Sequence, residues 1–238
     1  MKTIGLLGGM SWESSVGYYK AINEGIKHSL GGLHSAKIAM YSVDFDPIEK
    51  LQHEGDWQGT AKILSAAAKN VQSAGADFLL ICTNTMHKVA PQIEESIDIP
   101  LLHIADATAE VLVKKGIKKV GLLGTAFTME QNFYKGRLSE NYGLTVLTPN
   151  SEDRKVVHDI IYKELCLGKL LPSSKVEYLR IIESLADQGA EAVILGCTEI
   201  GMLVEQADTA IELLDTTYIH AEKAVEYAIQ NITQLTQS

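Results

Sequence analysis

The chain contains one of its own segments twice. Ala74-Gly75-Ala76-Asp77-Phe78-Leu79-Leu80-Ile81-Cys82-Thr83-Asn84-Thr85-Met86-His87 recurs as Gln188-Gly189-Ala190-Glu191-Ala192-Val193-Ile194-Leu195-Gly196-Cys197-Thr198-Glu199-Ile200. In both copies a helix ends at a glycine, an acidic residue leads into an apolar run, and small polar residues with a thiol follow. Laid together on Gly75 and Gly189, the copies bring Cys82 onto Gly196 and Thr83 onto Cys197. The echo reaches further. Ile4-Gly5-Leu6-Leu7-Gly8 returns as Val120-Gly121-Leu122-Leu123-Gly124, and Ala109-Glu110 returns as Ala221-Glu222, with offsets of 116, 114 and 112 residues along the chain. So steady a displacement argues for two halves of one architecture.

Each half alternates apolar strands with helical patterns. Strands are expected at 3–7, 37–43, 77–82 and 101–104, then at 119–123, 144–148, 192–196 and 211–214. The helices run to about Ser29 and over 57–73, 91–97, 106–115, 129–141, 152–166, 174–188 and 217–235, with a short helix beginning at Pro47. The polar tail Gln230 to Ser238 is expected to fray. Strict alternation implies parallel sheets covered by helices on both faces, with ligands at the edge where the strands end. The expected fold is therefore α/β, with two pseudo-symmetric three-layer α/β/α domains and an active site between them. Residues 1–103 with 217–238 form the first domain and 104–216 the second. At 238 residues the chain is long enough for two such cores.

Composition excludes several classes. A net charge of −9 argues against a nucleic-acid partner, although a local site for an anionic small molecule remains compatible with it. No apolar run approaches membrane-spanning length, and Met1-Lys2-Thr3 leads straight into a strand pattern without the features of a secretory signal. A cytoplasmic protein is expected. The three cysteines, Cys82, Cys166 and Cys197, lack metal-pair spacing, and their odd number speaks against a disulfide framework.

The polar turns at the strand ends carry the chemistry. Thr83-Asn84-Thr85 and Cys197-Thr198-Glu199 are pseudo-equivalent, an arrangement suited to two acid/base groups acting on one substrate atom. Cys197 reads either as such a group, its pKa lowered by a helix opening at Thr198-Glu199, or as a small buried hydrophobe. Cys82 points by alternation to the other side of its strand and reads as core. Gly8-Gly9-Met10-Ser11 lacks the G-x-G-x-x-G spacing of a dinucleotide loop, which leaves a carboxylate cradle or a tight turn. Gln52 reads as a solvated helix residue. His87, His103 and His220 read as hydrogen-bonded structural residues, and Glu199 as either a helix cap or a member of the site.

At Gly8-Gly9-Met10, Thr83-Asn84-Thr85-Met86-His87 and Gly196-Cys197-Thr198-Glu199 the sequence resembles the aspartate/glutamate racemase family over essentially its whole length. The family is recognised by Cys-Asn-Thr-x-His and Gly-Cys-Thr-Glu segments with a Gly-Gly-Met loop. The resemblance implies a racemase that needs no pyridoxal phosphate or other cofactor, acts on an amino-acid substrate, and is a homodimer. It implies Thr83 and Cys197 as the catalytic pair, and Met10, Gln52, Thr83, Asn84, Thr85 and Thr198 as substrate contacts; Thr125 joins them through its place on the repeated first loop. Two departures matter. Thr83 stands where the family has its first catalytic cysteine, as in the subgroup described as L-aspartate/glutamate-specific. The lysine of Ile-Tyr-x-x-x-Lys-x-Gly is replaced, since Ile161-Tyr162 leads to Cys166, and one expected carboxylate anchor is lost. Broad-specificity racemisation, a related isomerase or decarboxylase, and an amino-acid-binding protein are the alternatives.

Overall fold

The computed structural model describes residues 1–235. The chain divides into two compact units. Unit 1 comprises Met1–Ile104 and the chain from His220 on, and unit 2 comprises Ala105–Ile219.

In unit 1 the elements are β1 (Ile4–Gly8), α1 (Trp12–Leu30), β2 (Ile38–Ser42), α2 (Phe45–Glu54), α3 (Trp57–Ser73), β3 (Phe78–Ile81), a 3-10 turn over Thr85–Val89, and α4 (Ala90–Glu94). The parallel sheet has the order β2-β1-β3. Both faces are apolar because both are covered. Leu7, Leu79 and Ile81 pack with Leu64, Ala68 and Val71 of α3, while Leu6, Phe78, Leu80 and Cys82 pack with Tyr18, Ile22 and Ile26 of α1.

Unit 2 begins within α5 (Ile104–Lys115) and continues through β4 (Lys119–Gly124), α6 (Ala126–Glu130), α7 (Asn132–Tyr142), β5 (Thr145–Leu147), α8 (Ser151–Lys163), α9 (Pro172–Asp187), β6 (Ala192–Gly196), α10 (Ile200–Leu203), β7 (Glu212–Asp215) and the start of α11 (Thr216–Leu235). Its parallel sheet has the order β5-β4-β6-β7. The later part of α11 returns to unit 1, where Ala221, Ala224, Val225 and Ala228 close the face that α1 covers.

The ladders reproduce the repeat. Ile4 pairs with Phe78 and Leu7 with Ile81, while Val120 pairs with Ala192 and Leu123 with Leu195, so the same offsets of 116 and 114 hold across both central pairs. Leu79 meets Leu101 in an isolated parallel bridge, and Val193 meets Leu213 within β7, which carries the offset of 112.

Several local expectations are corrected. Residues 101–104 do not form a strand, because pairing stops after that one bridge. The Ile104 N–H donates to His87 Nε2, and the chain enters α5. Pro47 is not the first residue of its helix. Asp44 caps α2 by accepting from the Asp46 N–H, and Pro47 falls inside the first turn. The single helix expected over 129–141 is broken at Gln131, whose backbone is extended. The helix over 152–166 stops at Lys163 and is followed by a 3-10 turn. Of the tail expected to fray, 230–235 are helical and 236–238 lie outside the described residues.

Candidate active site

In unit 1 the paired ends of β1 and β3 release two polar turns side by side. The Cys82 N–H donates to the Leu7 carbonyl, and Ser14 Oγ donates to the Cys82 carbonyl at 3.1 Å, tying the start of α1 to the second turn. Ser11 caps α1 and the Gly9 N–H donates to Ser15 Oγ at 2.8 Å, so the Gly8–Ser11 segment is a built turn. Gly9 has φ +98°, and a Cβ there would land on the Val43 backbone. Met10, Thr83, Asn84 and Thr85 are all buried along these turns.

Gln52 is also buried, at 1% exposure, which corrects its reading as a solvated residue. Ile48 and Gln52 lie four residues apart on the buried stripe of α2, so the helix that brings Ile48 into the core carries Gln52 inward with it.

His87 fixes the Thr83 turn from beneath. Its Nε2 accepts from the Ile104 N–H at 3.2 Å, so the ring proton is on Nδ1, which donates to the Thr83 carbonyl at 2.8 Å. The ring is neutral with both nitrogens occupied. It packs against His103, with ring centroids 4.4 Å apart, and lies near His220. In His220 the Nε2–H donates to the Leu102 carbonyl at 2.9 Å, leaving Nδ1 to accept from the Tyr18 hydroxyl at 2.8 Å. Burial pushes its pKa down to about 4. Cys82 continues the alternation Phe78, Leu80, Cys82 on the α1 face, and complete burial pushes its thiol pKa far up.

In unit 2 the corresponding turn follows β6. Gly124 and Gly196 are ladder partners at the strand ends, and their backbones touch: a Cβ on Gly124 would lie 2.8 Å from the Gly196 carbonyl, and one on Gly196 would lie 2.7 Å from the Leu123 carbonyl. Thr125 is buried and caps α6, its Oγ1 accepting from the Thr128 N–H.

Cys197, partly buried, packs on the core face that Val193 and Leu195 share. Its Sγ donates to Glu199 Oε2 at 2.9 Å, and the Thr198 hydroxyl donates to the same oxygen at 2.8 Å. Glu199 is 2% exposed. The expected lowering of the Cys197 pKa is overturned. Burial, and then the neighbouring Glu199 charge, hold the thiol well above its ordinary range. The helix meant to lower it, α10, has one turn and begins beyond Glu199, too short a dipole to offset desolvation.

The structure thus gathers Met10, Thr83, Asn84 and Thr85 on adjoining turns of unit 1 and Cys197 and Thr198 on one turn of unit 2. Thr125 follows the strand that pairs with β6, and Gln52 lies on the buried stripe of α2. Two features escaped the sequence reading: the thiol–carboxylate bond of Cys197 and the His87 staple. The second had a signal, a histidine four residues after Thr83. Among the described residues there is no cluster of His, Cys, Asp and Glu able to hold a metal ion, and no helix is long and apolar enough to cross a membrane.

The profile of the Asp/Glu/hydantoin racemase family matches residues 7–224, and the chain belongs to that family, a class of isomerases. Among solved structures, a candidate Asp/Glu racemase from Yersinia pestis is 55% identical, with a TM-score of 0.90 over 97% of this chain and 100% of that one. An aspartate racemase homologue from Pyrococcus horikoshii OT3 is 37% identical, with a TM-score of 0.82 over 96% and 99% of the two chains. The broad-specificity amino-acid racemase RacX of Bacillus subtilis is 20% identical over 171 residues, which is 69% of this chain and 70% of the relative.

Proposed function

We propose that this chain is an amino-acid racemase that interconverts L- and D-aspartate or glutamate by moving the α-proton, with Cys197 and Thr83 as the two acid/base positions. The observation that carries the reading is the ladder equivalence. Ile81 pairs with Leu7 and Leu195 with Leu123 at corresponding places in the two ladders, and Thr83 and Cys197 each stand two residues beyond. Racemisation needs this pairing of roles, because one group removes a proton from one face of the α-carbon and another returns a proton to the opposite face. The likeness to an aspartate racemase homologue supports an acidic substrate.

Met10, Gln52, Asn84, Thr85, Thr125 and Thr198 are proposed to bind the substrate. Hydrogen bonds to its carboxylate stabilise the charge that develops as the α-proton leaves. The reaction is proposed to need no pyridoxal phosphate and to occur in a homodimer, as the family resemblance implies, and a cytoplasmic location is proposed from the sequence pattern. Since the enantiomers have equal free energy in water, kcat/KM must be the same in both directions. The likeness to RacX supports a second reading with broad amino-acid specificity.

The test is α-proton exchange in deuterated water across the common L-amino acids, with and without hydroxylamine. Fastest exchange with aspartate or glutamate, unaffected by hydroxylamine, is expected. Exchange spread evenly over neutral amino acids favours the second reading, and no exchange with any of them rejects both.

A further inference from the structure

We propose that Glu199 is the positioning residue that receives the Cys197 thiol proton, so that thiol and carboxylate work as one acid/base unit. The inference rests on the reading of Cys197 as the substrate's base. A base must be unprotonated when it acts, yet Cys197 lies in surroundings that oppose a thiolate. Cys166 and Tyr178 interact with Cys197, Tyr178 also with Glu199 and Glu164, and the Asp215 carboxyl lies against Gly201 on α10. All are acids. A thiolate made by losing a proton to water would add another negative charge to this group. Passing the proton to Glu199 instead leaves the total charge unchanged.

The geometry suits that transfer. Sγ already points its hydrogen at Oε2 from 2.9 Å, and the Thr198 hydroxyl holds the same oxygen at 2.8 Å. Glu199 is almost wholly shielded from water. In the forward step the S–H bond breaks as an O–H bond forms on Oε2. The thiolate then takes the α-proton to form a new S–H bond, and the Cα–H electron pair passes into the substrate carboxylate as an enediolate. In the reverse step the S–H proton goes to carbon and the Glu199 proton returns to sulfur. The pair holds one shared proton between turnovers, so its combined protonation is constant across the neutral range.

The test uses the full-length protein and the amino acid that exchanges fastest. Exchange is followed from roughly pH 6 to pH 8, and the pH dependence of Cys197 labelling by iodoacetamide is read by peptide mass spectrometry. Wild-type exchange is expected to be flat with pH. Glu199→Gln should lower it about a hundredfold at neutral pH and make it climb about tenfold per pH unit, because the thiol must then ionise to solvent. Labelling in that variant should begin at lower pH, since the charge opposing the thiolate is gone. Slower exchange beside easier labelling is a combination that loss of mere support does not produce. Glu199→Asp should keep the flat profile at a reduced rate, and serves if the Gln variant does not fold. A Gln variant that exchanges at the wild-type rate, or an Asp variant whose rate climbs with pH, overturns the inference. Cys197→Ser separates the layers. Retained exchange there removes Cys197 as the base and this inference with it, whereas lost exchange beside an unaffected Gln variant removes only the role of Glu199.

Discussion

The turns after β3 and β6 share a backbone frame and differ in almost every side chain. Adding 114 carries Thr83, Asn84, Thr85 and His87 onto Cys197, Thr198, Glu199 and Gly201, and adding 112 carries His103 onto Asp215. Where unit 1 packs the His87 ring on His103, unit 2 presses the Asp215 carboxyl against Gly201, which has no side chain to stand in its way. The first turn is held by the His87 imidazole and carries hydroxyls. The second joins a thiol to a buried carboxylate. The repeat thus preserves the position of two turns while concentrating the acidic groups in one. Unit 1 presents hydroxyls, and unit 2 presents a thiol hydrogen-bonded to a carboxylate.

The sharpest break of that comparison is Cys197→Ser. A serine hydroxyl is a far weaker acid than a thiol, so the variant should retain the fold and lose α-proton exchange by about a thousandfold. Deuterium incorporation into the substrate measures it. Wild-type rates in this variant would mean that the moving proton belongs elsewhere.

Acid should separate the two units next. His220 is neutral and buried, with its pKa pushed from 6.5 down to about 4. Below pH 6.5 the unfolded chain binds a proton that the folded chain refuses, so stability is full above that pH and falls as the pH drops toward 4. The loss is about 3 kcal/mol over that window. In unit 2 the Arg180 hydrogen bond instead holds the Asp153 carboxyl below its ordinary range, so its stabilisation fades only as the pH falls below the carboxylate range. Trp12 and Trp57, the only tryptophans, both lie in unit 1. Urea denaturation followed by tryptophan fluorescence should therefore show a lower midpoint at pH 4.5 than at pH 7, and an unchanged midpoint would refute the account of the histidine pocket.

The repeat made much of this legible. A fixed displacement of apolar runs determines which strands correspond, and period-two alternation places Cys82 with Phe78 and Leu80 on one face. The fourth strand of unit 1 misled because Leu101-Leu102 has the apolar character of its counterpart Leu213-Leu214. Only the structure reveals that His87 takes the Ile104 N–H and ends the pairing. Gln52 misled because polarity was read without the helix's own phase. The thiol–carboxylate bond could not be read at all, since two residues apart in a tight turn can meet or diverge according to backbone angles that sequence does not specify.

Gly201→Ala sharpens the comparison at a position where the two turns differ in bulk, His87 standing against Gly201. The new Cβ would meet Asp215 Oδ2, while Oδ1 of the same carboxyl accepts from the Thr217 and Tyr218 N–H groups at the start of α11. The carboxyl can give way only by loosening those bonds. A loss of about 1–2 kcal/mol is expected, read as a lower Tm in thermal unfolding. An unchanged Tm would show that Asp215 moves freely.

Cys82→Ala should have the smallest effect, and it tests the register on which the comparison rests. The Cys82 thiol ends the core face formed by Phe78 and Leu80, and burial keeps it protonated. Its counterpart is Gly196, where the close approach of the Leu123 carbonyl leaves no room for a side chain, so neither half uses this position for a reactive group. Removing the sulfur leaves a small void, costing about 1 kcal/mol. The exchange rate should stay within about twofold of wild type, because an inert thiol supplies no acid/base catalysis. If instead a folded Cys82→Ala protein loses exchange, the reactive position in unit 1 lies one residue earlier than Thr83, and the turns correspond as Cys82 with Cys197 through an inserted residue.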